Sequence, residues 1–149
     1  MLPAHGGLIL HFGCFDLSNF LPAARHFPKP LIINYEIMKA YQEAFLPNTT
    51  AEQRADPSIS PMYADWMKLA GQMRQRGATG LPRALFTIGT QDPLVDDSVF
   101  MAAKWQMAGG DGILKVYSGA AHGFITFDEK ALPAAGEAMR DTDAFILNK

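Results

Sequence analysis

The sequence has one cysteine, little net charge and no long apolar run. A single cysteine in 149 residues excludes an internal disulfide framework and suits a reducing compartment, so we expect a cytoplasmic protein. A net charge of −2 and a pI near 6.0 offer no attraction to nucleic acid or to an anionic membrane surface. No run approaches the roughly 20 apolar residues of a membrane-spanning helix, and the first residues lack the basic segment and cleavage site of a signal peptide. We therefore expect a soluble protein that binds neither nucleic acid nor membrane.

Motifs for cofactors are absent as well. The sequence contains no G-x-G-x-x-G and no phosphate-binding P-loop, which leaves nucleotide binding unsupported. No His, Cys and Asp spacing matches a metal site, and His11 and His26 have no evident partner. We expect neither a cofactor nor a metal.

Three short apolar runs are present instead. They are Leu8–Phe12, Ala84–Ile88 and Ile113–Tyr117, each bounded by turn residues in the way a buried parallel strand is. An amphipathic segment that ends at Gly109-Gly110 joins the last two runs, which predicts a βαβ unit. With 48% apolar and 19% charged residues, the chain has enough apolar material for one domain with a core. The fold class predicted is α/β, with about three parallel strands and flanking helices.

Asp92 and His122 follow the ends of two of these strands. The carboxyl ends of parallel strands form the edge of an open α/β sheet where ligands bind, so we expect the two side chains to meet there. An Asp that orients a His base is two thirds of a nucleophilic hydrolase. The alternative is structural, since Asp-Pro is a common turn signal and a loop His can be inconsequential.

Three segments carry a family resemblance. Gly89-Thr90-Gln91-Asp92-Pro93-Leu94-Val95-Asp96-Asp97, His122-Gly123-Phe124 and Ser60-Pro61-Met62-Tyr63-Ala64-Asp65 resemble α/β-hydrolase fold carboxylesterases and lipases of the hormone-sensitive-lipase group. The resemblance implies that Asp92 is the catalytic acid and His122 the catalytic base, in the order Ser…Asp…His of that fold. No G-x-S-x-G nucleophile motif occurs in the 149 residues.

The resemblance also sets expectations for organisation and function. Residues 1–149 would form the C-terminal part of an α/β-hydrolase domain, and residues 19–58 a cap-like insertion or, for the helix at Tyr35–Phe45, an ordinary crossover. The function expected is that of a carboxylic-ester hydrolase fragment for small acyl esters, inactive alone because the serine nucleophile is missing. The partner expected is a complementing N-terminal half or a second copy bound through the edge of the Leu8–Phe12 strand. The alternatives are a non-catalytic binding or vestigial module and a flavodoxin-like fold, which the lack of a phosphate-binding loop disfavours.

Other residues receive structural interpretations. His5-Gly6-Gly7 resembles an oxyanion motif but is interpreted as a helix-to-strand turn, and Cys14 as a partly buried apolar residue rather than a nucleophile. Asp16 is expected in a turn, Asp96 or Asp97 at the cap of the helix that runs to Met107, and Thr49 or Thr50 at another cap. Residues 66–80 are expected to form a surface loop or short helix of no assigned function.

Two sets of apolar residues complete the expectations. A last helix is predicted from Leu132 or Pro133, with six residues toward the sheet: Ala135, Ala138, Met139, Thr142, Phe145 and Ile146. A second set suits either an acyl pocket or an ordinary core: Phe15, Phe20, Phe27, Met38, Tyr41 and Phe45.

Overall fold

Three parallel strands form the sheet to which the other elements attach. The computed structural model describes residues 6–29 and 31–147. Within these residues the strands are β1 (Gly7–His11), β2 (Arg83–Gln91) and β3 (Gly112–Ala121), in the order β1-β2-β3. The predicted α/β class and all three strands are confirmed. Both β2 and β3 extend beyond their apolar runs at the carboxyl end, which is the end that carries the candidate site.

Strand β1 lies at one edge of this sheet and ends one residue earlier than predicted. Phe12 has a φ of 40°, in the left-handed region, so it leaves the extended conformation, although its N–H still donates to the Thr87 carbonyl at 2.8 Å. In the part of the chain that the structure describes, β1 pairs with β2 alone.

Two helices pack on opposite faces of the sheet. Helix α5 (Val95–Met107) places Met101 and Trp105 against Phe86 of β2. Helix α6 (Pro133–Ile146) faces the other side, where its Asp141 accepts from the Lys115 ammonium at 3.0 Å and from the Tyr117 hydroxyl at 2.7 Å. Because successive strand residues point to opposite faces, the sheet can bury apolar side chains on both sides.

The prediction for the inward face of α6 was partly wrong. Ala135, Ala138, Thr142 and Phe145 are buried, whereas Met139 and Ile146 are 47% and 63% exposed. The buried stripe is made chiefly of small side chains, which let the helix lie close to the sheet. Met139 falls at the margin of that stripe and Ile146 in the last turn, so neither reaches the core.

The connection between β1 and β2 consists mainly of helices. The sequence predicted one of them, at Tyr35–Phe45, and a loop or short helix over residues 66–80. Its helices are α1 (Pro22–His26), α2 (Tyr35–Phe45), α3 (Ala51–Arg54) and α4 (Trp66–Gln75), with a 3₁₀ turn at Pro61–Tyr63. The predicted bounds of α2 are confirmed, and Thr50 caps α3 in a capping box with Gln53. Residues 66–80 form a helix followed by a loop. The division of the chain into a hydrolase part and a cap stays a prediction.

Partly buried polar contacts join this connection to the loop after β1. The Arg54 guanidinium donates to the carbonyls of Leu17, Ser18 and Thr49. Ser60 accepts from the Leu17 N–H at 2.8 Å and donates to the Arg54 carbonyl at 2.6 Å. Ser60, the first residue of one of the three segments that resemble the family, is therefore held directly beside the loop that follows β1.

Candidate active site

Asp92 is the first residue after β2 and its side chain is fully buried. Its Oδ1 accepts from the Leu94 N–H at 2.9 Å, and its carbonyl accepts from the Val95 N–H at 3.1 Å as helix α5 begins. The carboxylate is thus held by the same turn that starts the helix. Its other oxygen, Oδ2, points to His122.

His122 is the first residue after β3, and 23% of its side chain is exposed. Its Nδ1 lies 3.0 Å from Asp92 Oδ2. Gly123 follows with a φ of 72°, a left-handed conformation that glycine adopts without strain, and leads into a 3₁₀ turn at Phe124–Thr126. Among the described residues no group hydrogen-bonds the Nε2 atom.

The register of the two strands brings these side chains together. Gln91 pairs with Ala121 at the strand ends, after an irregularity between Gly89 and Gln91, so the next residue of each strand is Asp92 or His122. The strands approach so closely here that a Cβ added to Gly89 would lie 2.0 Å from the Ala120 carbonyl oxygen. Only glycine fits at position 89 where the strands approach so closely. This close approach sets the position of His122.

The arrangement suits proton transfer. A carboxylate that accepts from Nδ1 selects the tautomer with its proton on that nitrogen and leaves a lone pair on Nε2. The same carboxylate stabilises the imidazolium that forms when Nε2 takes a proton. The expected meeting of Asp92 and His122 at one sheet edge is confirmed, whereas their catalytic roles stay a proposal.

An aromatic neighbour of His122 was missed by sequence reasoning. The Phe12 ring lies edge-to-face with the imidazole, with ring centroids 4.9 Å apart. Phe12 was assigned to a strand, and nothing in its neighbours along the chain indicates the contact. The one signal was positional, since Phe12 also lies at the carboxyl end of its strand.

The predicted capping role of Asp96 and Asp97 was wrong. Helix α5 has Leu94 at its N-cap position, without a side-chain cap. Asp97 is fully buried, and its Oδ1 accepts from the N–H groups of Phe15 and Asp16 at 2.6 and 2.9 Å. Asp96 Oδ2 accepts from the Ala23 N–H at 2.8 Å. Asp97 thus bonds the loop after β1 and Asp96 bonds the first turn of α1, because both segments present backbone N–H groups to the start of α5.

The environment of Asp97 is unusual for a carboxyl group. Burial raises its pKa to about 7, against the two backbone N–H donors that favour the ionised form. Its Oδ2 and the neighbouring Ser98 hydroxyl are buried with no hydrogen-bond partner in the described ranges, 6–29 and 31–147. Asp97 therefore changes its charge near neutral pH while it holds the loop.

Other polar candidates have structural surroundings. Cys14 is partly buried, with its thiol 3.6 Å from the Asp16 carbonyl, and burial raises the thiol pKa, which disfavours a thiolate nucleophile. Asp16 Oδ1 accepts from the Ser18 N–H at 2.8 Å, which confirms the expected turn. His11, expected to lack a partner, lies 2.6 Å from the Thr87 hydroxyl through Nδ1, and burial lowers its pKa. The prediction for His5-Gly6-Gly7 falls partly outside the described residues, which exclude His5.

The aromatic and methionine residues divide between the core and the surface. Phe15, Phe20 and Met38 are buried in apolar clusters, while Tyr41 and Phe45 are 72% and 71% exposed. Two clefts lie near α2, one beside Pro93 and one beside Arg54, and neither is lined by Asp92 or His122. The buried members thus favour the core interpretation over an acyl pocket.

Two features are absent from residues 6–29 and 31–147. Within them no cluster of His, Cys, Asp or Glu side chains has the composition to hold a metal ion. No helix there is long and apolar enough to cross a membrane.

Comparison with known proteins identifies the family. A profile described as alpha/beta hydrolase fold matches residues 2–126, and the chain therefore belongs to that family. The family resemblance drawn from three short segments is confirmed. A search of curated proteins found no match.

Solved structures show the same fold. The chain is 23% identical to a hormone-sensitive lipase from a metagenome library, with a TM-score of 0.78, and the match covers 98% of this chain and 44% of that one. It is 23% identical to a hyperthermophilic esterase from the archaeon Pyrobaculum calidifontis, with a TM-score of 0.75 and coverage of 94% and 41%. It is 19% identical to carboxyl esterase 2 of the mycorrhizal fungus Tuber melanosporum, with a TM-score of 0.75 and coverage of 89% and 40%. The chain thus has an esterase-like α/β-hydrolase fold and spans about two fifths of the length of these structures.

Proposed function

We propose that this chain carries the acid and the base of a serine carboxylesterase, and that it hydrolyses no ester alone. The observation on which this rests is the bond between His122 Nδ1 and Asp92 Oδ2, 3.0 Å long, at the carboxyl edge of the sheet. His122 would take the proton of a serine hydroxyl through Nε2 and deliver it to the leaving alcohol. Asp92 would hold the tautomer and stabilise the imidazolium.

The burial of the pair supports these roles. Asp92 is excluded from water while His122 keeps part of its ring exposed, so the acid has a fixed orientation and the base can meet a substrate. The structural neighbours described as esterases and as a lipase favour carboxylic esters as substrates. The absence of a G-x-S-x-G motif from the sequence supports the proposed inactivity of the chain alone, because that motif supplies the serine.

The test is complementation. The chain is mixed or co-expressed with the N-terminal half of an esterase of this family that contains the G-x-S-x-G motif, and hydrolysis of p-nitrophenyl esters is followed. We expect no hydrolysis by the chain alone and hydrolysis by the mixture. Asp92→Asn and His122→Gln in the mixture should each lower the rate, on the order of 10³- to 10⁴-fold, because they remove the base or its tautomer.

A matched control uses another acid of the chain. Asp111→Asn changes an exposed carboxylate that pairs with Arg83 far along β2 from the site, and it should leave the rate unchanged. Hydrolysis by the chain alone, or full activity of the His122→Gln mixture, would contradict the proposed roles.

A second candidate function is a non-catalytic module that assembles through its sheet edge. The observation that favours it is β1, an edge strand in the described sheet whose residues Leu8, Ile9 and Leu10 are apolar and only partly buried. The opposite edge strand, β3, carries the charged side chain of Lys115. Charged edge residues discourage pairing with another chain, and uncharged apolar ones invite it.

Size measurement tests this candidate. We expect a homodimer or larger assembly at micromolar concentration by size-exclusion chromatography with light scattering. Ile9→Lys should shift it to monomer, while Val116→Lys, at an exposed position of β3, should not. A monomeric wild-type chain would exclude pairing between copies and leave the complementing N-terminal half as the partner.

A further inference from the structure

Phe12 is the first residue after β1, and its ring contacts His122, which follows a different strand. The two ring centroids are 4.9 Å apart and the ring planes meet at 64°, an edge-to-face arrangement. The same phenyl ring lies edge-to-face with Phe124, at 6.2 Å and 65°. Phe124 is fully buried, so Phe12 connects the core to the imidazole.

The backbone of Phe12 is unfavourable for a large side chain. Its φ of 40° lies in the left-handed region, where glycine is the residue without strain, and Gly13 follows directly. The position is nevertheless tied to the sheet, because the Phe12 N–H donates to the Thr87 carbonyl at 2.8 Å. The ring is thus held beside His122 by a backbone conformation that costs free energy.

One hydrogen bond does not fix an imidazole. The terminal torsion of a histidine side chain has broad minima, and a single bond from Nδ1 leaves the ring free to tilt about the line to its acceptor. Asp92 supplies that bond, and the described residues supply no hydrogen bond to Nε2. A side chain packed against the imidazole would prevent it from tilting.

We propose that Phe12 is a positioning residue, whose ring holds the His122 imidazole in the orientation in which Nδ1 meets Asp92. With it, the first residue after each of the three strands contributes to the site: Phe12 after β1, Asp92 after β2 and His122 after β3. Naming His122 the base rests on the proposed function, whereas the ring contact does not.

The experiment is side-chain NMR on the isotope-labelled chain, which needs no catalytic activity. The Nδ1–H proton of His122 is assigned by its disappearance in His122→Gln, and its exchange with water is measured in Phe12→Leu. Because an edge-to-face pair shifts an equilibrium by up to about tenfold, we expect exchange to be several-fold and up to about tenfold faster than in the wild type. Phe12→Tyr keeps the ring and should restore the wild-type rate.

Phe20 provides the matched control. It also has a left-handed φ, 56°, it is buried, and its ring lies edge-to-face with Tyr35 at 6.0 Å, but it makes no ring contact with His122. Phe20→Leu should therefore leave the exchange of the His122 proton unchanged while it lowers stability. Equal acceleration in both leucine variants, or none in Phe12→Leu, would overturn the positioning role.

A measurement on the wild type covers the case in which Phe12→Leu does not fold. Nuclear Overhauser effects between the Phe12 ring and the imidazole protons are expected, and their absence would overturn the role. Complementation can fail while these contacts are present, and the contacts can be absent while complementation succeeds. Failure of the positioning role is therefore distinguishable from failure of the proposed esterase function.

Discussion

Asp92 and Asp97 belong to one short segment and are both fully buried, yet they bond to different parts of the molecule. Asp92 bonds its own turn through Leu94 and the partly exposed imidazole of His122. Asp97 bonds only backbone, the N–H groups of Phe15 and Asp16. One carboxylate meets an imidazole, a group that can act as an acid or a base, and the other meets backbone amides, which do not ionise near neutral pH.

Asp92 therefore belongs to the candidate site, whereas Asp97 belongs to the structure that supports it. The loop that Asp97 holds begins directly after Phe12, the residue whose ring lies against His122. Asp97 thus fixes the β1 end of the sheet edge, while Asp92 orients the side chain at the β3 end. Changes at the two positions should therefore affect stability and the imidazole to different extents.

The largest loss of stability is expected from Gly89→Ala, which forces the ends of β2 and β3 apart. The added methyl group would lie 2.0 Å from the Ala120 carbonyl, so the ends of β2 and β3 must move apart. We expect a loss of about 4 kcal/mol in the free energy of unfolding and loss of the bonded His122 Nδ1–H signal in NMR. Gly71→Ala is the control, since nothing lies within 4 Å of its added Cβ and helix α4 should gain slightly in stability. Equal stability of the two variants would show that the strands can separate without strain.

A smaller loss in the free energy of unfolding is expected from Asp97→Ala. It leaves the buried N–H groups of Phe15 and Asp16 without their acceptor, which should cost about 3 kcal/mol in urea unfolding. Asp97→Asn keeps an acceptor at Oδ1 and should lose much less. If the alanine and asparagine variants were equally stable, the loop would be held by contacts other than this side chain.

The smallest effect is a pH dependence of stability that belongs to Asp97. The pKa of Asp97 is raised by burial to about 7 from 3.8, so its contribution is fully present below pH 4 and is lost as pH rises through 7. Relative to Asp97→Asn, the wild type should therefore lose about 2 kcal/mol between pH 5.5 and pH 8. The comparison with the variant is needed because His11, whose pKa is lowered, contributes in the opposite direction. A constant difference between the two proteins would show that Asp97 does not titrate in this range.

Several features were predictable because they depend on local pattern. The three strands were marked by apolar runs between turn residues, and α2 by helical spacing between prolines. The meeting of Asp92 and His122 followed from one rule, that adjacent parallel strands bring their carboxyl ends to one edge. Their pairing required no knowledge of side-chain contacts beyond the strand register.

Other features depend on contacts between distant segments. Asp97 has the sequence position of a helix cap, and only the approach of the loop after β1 gives it different partners. Phe12 looked like a strand residue, because its left-handed φ and its contact with His122 arise from packing across the sheet edge. The exposure of Met139 likewise depends on how helix α6 is rotated against β3, which its own periodicity defines only coarsely.

The single cysteine has a practical consequence. Cys14 lies in the loop that Asp97 secures, is partly buried, and is the one thiol in the sequence. A thiol-reactive dye added to the unmodified protein would thus label one known position. The rate of labelling would rise with the opening of that loop. Cys14 can therefore report local opening of the loop after β1 without an engineered cysteine.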